Sequence, residues 1–151
     1  MAGKVSDEEL LHALRCVEPL VQKIGVKPRD PKAKIHFLDL KNVSFISTTT
    51  NYPVPADLGF NASAVFACDD GQFWYNNMNL TEIEELFANG GNPWFLRTRD
   101  NLIVNVKKIR KQQTSDARDL WLDGYEEPIK NAVSRDDYLE AYMACPYIVG
   151  K

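Results

Sequence analysis

The chain has 151 residues, 44% of them hydrophobic, with a formal net charge of −3 and a pI near 5.4. That length gives about one domain, with a real core and little to spare. No apolar run approaches the roughly 18 residues that span a bilayer, and Met1 to Glu9 lacks the apolar stretch of a signal peptide. A cytoplasmic protein without membrane insertion is expected, and the acidic pI counts against a generic nucleic-acid binder.

Ser6-Asp-Glu-Glu9 reads as a capping box, which predicts a helix from there to about Ile24, ending at Gly25. Leu10, Leu14, Val17, Val21 and Ile24 follow the four-three spacing of a coiled-coil seam. The helix either packs on its own domain or pairs two copies into a homodimer, and Pro19 weakens the second reading by removing a backbone bond. Val26 to Ala33 is a linker by its prolines and charges, so the chain divides into residues 1–33 and a domain over 34–151.

After the linker the periodicity changes. Lys34–Leu40 and Val43–Ser47 read as strands, and Ala64–Cys68 and Gln72–Tyr75 flank the hairpin signal Asp69-Asp70-Gly71. The segment from Thr48 to Asn61 is too rich in Pro, Thr and Asn for a continuous strand. Asn79–Phe87 is a short amphipathic helix stopped by Gly90 and Gly91. Asp119–Leu122 and Glu127–Val133 flank a second turn signal at Asp123-Gly124. Ser134 is expected to cap a last helix running to about Ala144, with Asp136 and Asp137 in its first turn.

Trp94 to Lys111 is the most informative stretch. Arg97, Arg99, Lys107, Lys108, Arg110 and Lys111 stand there against one acid, Asp100. Between Ala64 and Asn89, in contrast, Asp69, Asp70, Glu82, Glu84 and Glu85 occur without any Lys or Arg. Such a split lets one face attract phosphate while another keeps the protein soluble. The cations alternate with amides (Asn101, Asn105, Gln112, Gln113) that can read base edges, and with an apolar spine from Phe95 to Ile109.

The succession of "VSFIST", the D-D-G hairpin, "LTEIEELF", "WFLRTRDNLIVNVKKIRK", "LWLDGYEEPIKNAVSR" and "YLEAY" resembles the LytTR (LytR/AlgR-type) DNA-binding domain of bacterial transcription regulators. The resemblance covers roughly Lys34 to Met143. Its most specific parts are Phe95 to Asn105, similar to the family's F-x-R-x-H-R/N-S-x-x-V-N block, and Asp123-Gly124 followed by Val133-Ser134-Arg135. It implies a mainly β fold with short helices: an elongated arrangement of small antiparallel sheets whose loops enter successive major grooves of repeated sites in double-stranded DNA. By position, the family's contacts fall on Arg97, Arg99, Asp100 and Asn101, on Asn51 and Tyr52 in the loop after the second strand, and on Ser134 and Arg135.

The chain departs from the pattern in three ways. Arg99 stands where the motif has histidine, and Asp100 where it has Arg or Asn. An extra segment, about Pro53 to Ser63, interrupts the loop expected to touch DNA. A receiver domain, which usually precedes this one, does not fit before Lys34.

The residue types suit the task. Arg offers a planar fork for O6 and N7 of guanine, which makes Arg99 and Arg135 the expected base readers; Asn101 suits adenine. The bland alternatives are that Asn101 caps a turn and that Asp100 pairs a neighbouring arginine. Lys107, Lys108, Arg110 and Lys111 are better as phosphate neutralisers. If they lie on one strand, alternation puts Lys108 and Arg110 on one face and Lys107 and Lys111 on the other, and a solvated charged face accounts for part of the set. Trp74, Trp94 and Trp121 sit in settings that favour core over base stacking.

Enzyme chemistry is not expected. Cys68 beside Asp69, with His36 elsewhere, is the only candidate nucleophile assembly, and no oxyanion or phosphate-cradling glycine pattern accompanies it. Cys16, Cys68 and Cys145 are widely spaced and His12 and His36 are isolated, so no metal or other cofactor is expected. The reading is a stand-alone transcription regulator. The alternative is a degenerate module of the same fold that binds a regulatory protein partner rather than DNA, which the acidic pI, Asp100 and the extra loop favour.

Overall fold

A computed structural model describes residues 21–28, 32–48, 63–112, 119–134 and 136–147. Over these residues the chain is mainly β, built of small antiparallel sheets with two short helices. In chain order they are β1 (Lys23–Val26), β2 (His36–Asp39), β3 (Val43–Thr48), β4 (Ala64–Cys68), β5 (Phe73–Asn76), α1 (Leu80–Asn89), β6 (Phe95–Arg99), β7 (Leu102–Asn105), β8 (Ile109–Gln112), β9 (Leu120–Leu122) and α2 (Asp136–Ala144). A central five-stranded sheet has the order β5-β4-β3-β7-β6; β1-β2 and β8-β9 form two-stranded ribbons. Among the described residues no helix is long and apolar enough to cross a membrane.

The central sheet is covered on both faces, which explains why Ala64–Cys68 is apolar throughout and buried at every position, without alternation. On one face Ile46, Phe66, Ile103 and Phe95 pack with Leu80, Ile83 and Phe87 of α1 and with Ile24, Val26, Leu38 and Leu40 around the β1–β2 ribbon. On the other, Phe45, Ala67, Leu102 and Val104 pack with Leu120 and Leu122 of β9, with Ile129 and Val133, and with Tyr142 and Cys145 at the far end of α2. Two buried polar side chains are bonded to distant backbone carbonyls. Ser44 donates to the Asp123 carbonyl at 2.7 Å, and Asn105 donates to the Val43 carbonyl at 2.9 Å while accepting from the Lys107 amide at 3.1 Å.

Several elements match their sequence signals. Asp69-Asp70-Gly71 turns β4 into β5, with Gly71 at φ 84°. Asn79 caps α1 through a full capping box: its side chain accepts from the Glu82 amide at 2.8 Å, and Glu82 accepts from the Asn79 amide at 3.2 Å. The Gly90 amide closes the helix on the Leu86 carbonyl.

Other expectations need correction. The first helix does not extend to Ile24, because Lys23–Val26 is a strand paired with β2; the remainder of that helix, with its capping box and Pro19, lies outside the described residues. Ile24 and Val26 are β-branched and bury against α1, and strand pairing with Leu38 and His36 wins over helical spacing. This ribbon spans the expected division at 33/34. The basic stretch is not one strand either. It is the β6–β7 hairpin, a 3-10 turn over Val106–Lys108, and then β8, so simple alternation across 107–111 does not hold. The second turn signal produces only a reduced hairpin: β9 pairs mainly with β8, and Leu120 bridges Ile129 alone. At that turn Gly124 has φ 94° and lies so close to the β4–β5 turn that a Cβ would stand 2.6 Å from the Asp69 carbonyl oxygen.

Candidate nucleic-acid interface

A β-bulge decides where the two central arginines point. In β6, Arg97 faces Ile103 and Arg99 faces Leu102, so Thr98 is an extra residue in the register. Regular alternation would have set Arg97 and Arg99 on one face. With the bulge, Arg97 takes the α1 face and Arg99 the face that carries β9 and α2. Their hydrogen bonds agree. Arg97 donates to Thr81 Oγ1 on α1 at 3.1 Å and to the Asp100 carbonyl at 2.5 Å. Arg99 donates to the Lys130 carbonyl at 3.4 Å.

Neither arginine forms an ion pair among the described residues. In both, Nε is buried without a hydrogen-bond partner. Burial lowers the Arg99 pKa, yet a guanidinium stays charged at neutral pH. Arg99 is therefore a partly desolvated cation held by one long hydrogen bond.

The turn between β6 and β7 ties neighbouring segments to this end of the sheet. The Asn101 carbonyl accepts from the Thr48 amide at 3.3 Å, which brings in the end of β3. The Thr98 carbonyl accepts from the Ser134 amide at 3.2 Å, which brings in the start of α2. Tyr138 Oη, on α2, donates to Asp100 Oδ1 at 2.8 Å. Arg97, Arg99, Asp100, Asn101 and Ser134 thus come together; Asn51, Tyr52 and Arg135 lie outside the described residues. Arg97 donates to the Asp100 carbonyl and not to its carboxylate.

Lys107, Lys108 and Arg110 do not join them. They follow Asn105, at the opposite end of β7 from the turn, on the order of 10 Å away by strand rise. Lys107 sits over the Trp94 ring at 3.8 Å, and Lys108 pairs Asp69 at 2.9 Å. Arg110 donates to the Tyr125 and Glu126 carbonyls at 2.7 and 3.3 Å, and Lys111 lies over Trp121 at 4.6 Å. Local partners engage each of these cations.

Thr81, Lys130 and Tyr138 were not anticipated as parts of the site. Nothing in their local sequence marks them; only the packing of α1 and α2 beside β6 brings them there. The tryptophans behave largely as packing residues, Trp74 stacking on His36 with ring centroids 4.5 Å apart. Cys68 and Cys145 are buried thiols outside any disulfide. Burial, aided by Asp70 and Asp69, pushes the Cys68 thiol up to about 12, which keeps it protonated and a poor nucleophile at neutral pH. Among the described residues no group of three His, Cys, Asp or Glu side chains is placed to hold a metal ion.

No protein-family model matches the chain, and no curated protein matches it. The likeness to the LytTR domain accordingly rests on the short motifs and their order.

Proposed function

We propose that the chain is a DNA-binding transcription regulator that engages double-stranded DNA with the β6–β7 end of its central sheet. One observation carries the reading. The end of β3, the β6–β7 turn, and Ser134 with α2, three segments far apart in sequence, meet at one end through the Thr48–Asn101, Ser134–Thr98 and Tyr138–Asp100 hydrogen bonds. Arg99 and Arg135 read bases, Arg97 and Ser134 hold the backbone, and Asn101 reads or positions from the turn. Lys107, Lys108 and Arg110 contribute general attraction rather than direct contact. The family likeness further implies repeated half-sites, two copies per site, and a cytoplasmic bacterial setting.

Selection of duplex sites from a random pool by the purified protein tests this. Wild type enriches a repeated motif, and Arg99→Ala or Arg135→Ala enriches none while circular dichroism stays unchanged. Identical enrichment by both variants would remove the assigned readers.

A specific observation favours a second reading. Asp100 projects a carboxylate from the same turn, where it would repel phosphate. A protein partner with a basic surface would suit that acid, and failure of wild type to retain any duplex supports this alternative.

A further inference from the structure

We propose that a cleft at the opposite end of the sheet from the β6–β7 turn binds a small polyanion, a compound with two or more phosphate or carboxylate charges. The cleft holds about 420 Å³, between the turn after β2 on one side and the α1–β6 loop and the 3-10 turn after β7 on the other. That volume falls within the range of small-molecule sites and admits a group no larger than about a mononucleotide.

Three lysines line it, Lys41, Lys107 and Lys108, against one acid, Asp39. Asp39 in turn lies 3.9 Å from Lys23 Nζ, so its charge is shared outward. Lys108 is already neutralised by Asp69. The uncompensated attraction therefore comes from Lys41 and Lys107.

Lys107 is positioned in advance. Its ammonium rests over the Trp94 ring, and its amide is fixed by the Asn105 side chain. The walls are rigid because their amides are buried and committed to the backbone: Asn92 to the Val21 carbonyl at 2.8 Å, Asn105 to the Val43 carbonyl. A concave wall fixed in this way strengthens the lysines' attraction for an anion relative to the same lysines on an open surface. The cleft uses none of the residues proposed to touch DNA directly, although Lys107 and Lys108 also add to the general attraction in that reading.

Titration calorimetry of the full chain with pyrophosphate, citrate and AMP tests the site. At least one should bind with a stoichiometry of one, at least tenfold weaker in Lys41→Gln/Lys107→Gln, and with unchanged affinity in Arg99→Ala. Pyrophosphate alone would identify a phosphate, citrate alone a polycarboxylate, and AMP tighter than pyrophosphate a nucleotide. If the double variant does not fold, Lys41→Glu carries the test by the same criterion. No saturable binding below about 1 mM, or a loss of less than tenfold in the variant, would overturn the proposal.

Discussion

Arg99 carries a charge that its surroundings only half accommodate. It has one hydrogen bond of 3.4 Å, a buried Nε without a partner, and no ion pair among the described residues. Leaving a buried donor unmade costs about 1–3 kcal/mol, so this side chain works against stability where it stands. Arg99→Leu should therefore leave the melting temperature unchanged or raise it, while removing sequence preference in DNA binding. A fall of several degrees would make Arg99 a structural residue instead. Arg97, with bonds to Thr81 and the Asp100 carbonyl, should behave oppositely: Arg97→Ala lowers stability by about 1 kcal/mol, as a thermal melt would show.

Titration offers a second check at this scale. Cys68 is raised by burial, then by Asp70 and Asp69, and Tyr142 by burial, then by Cys145; both reach about 12. These groups are neutral when protonated, and their folded values exceed the ordinary 9.0 and 10.0. The stability they contribute is complete below those ordinary values and is lost as pH climbs toward about 12. Thermal melts should thus fall through that alkaline window, and Cys68→Ala should fall less steeply. Slow labelling of Cys68 by a thiol reagent at pH 8 follows from the same protonated state.

The elements separate into those that local chemistry dictates and those that pairing dictates. The D-D-G turn and the apolar side of α1 are set by neighbours within a few residues, and both were read from the chain; the cap at Asn79 is equally local, though the sequence pattern alone had put Asn79 inside the helix. Asn79→Ala should cost about 1 kcal/mol, equivalent to a Tm fall of about 2–4 °C. The strand over Lys23–Val26 was not readable, because its helical spacing is overridden by partners in β2 and α1. Nor was the bulge at Thr98. It depends on how Leu102 and Ile103 seat in two different cores, and no residue type announces it.

Gly124 shows the same dependence in a turn. The D-G pair signalled a bend, but the close approach to Asp69 comes from two hairpins meeting. Gly124→Ala combines a positive φ with that collision and should cost about 1–3 kcal/mol, measured by chemical denaturation. A cost of a few tenths would mean that the two turns separate readily.

Across the whole molecule, the basic stretch that reads as one site in sequence is divided between two ends of the sheet. A hairpin folds it back on itself, so residues ten apart in sequence end on different surfaces. The turn end gathers Arg97, Arg99, Asn101 and Ser134; the other end holds Lys107, Lys108 and Arg110 among aromatic rings, carbonyls and Asp69. The mainly β class and the β4–β5 hairpin were legible because they follow apolar patterning and a turn signal. The partition of charge was not, since it follows register. Removing Lys107 and Arg110 together (Lys107→Gln/Arg110→Gln) should change the salt dependence of duplex binding little, whereas Arg97→Gln/Arg99→Gln should reduce it.

The most direct measurement is the affinity of the wild-type chain for its selected duplex, followed by fluorescence anisotropy as salt is raised. DNA engaged through phosphates should give a straight fall of log K with log salt, about 0.9 in slope for each phosphate neutralised, and a shallower line for Arg97→Gln/Arg99→Gln. Duplex binding that is absent at low salt, or indifferent to salt, would contradict an interface at the β6–β7 end.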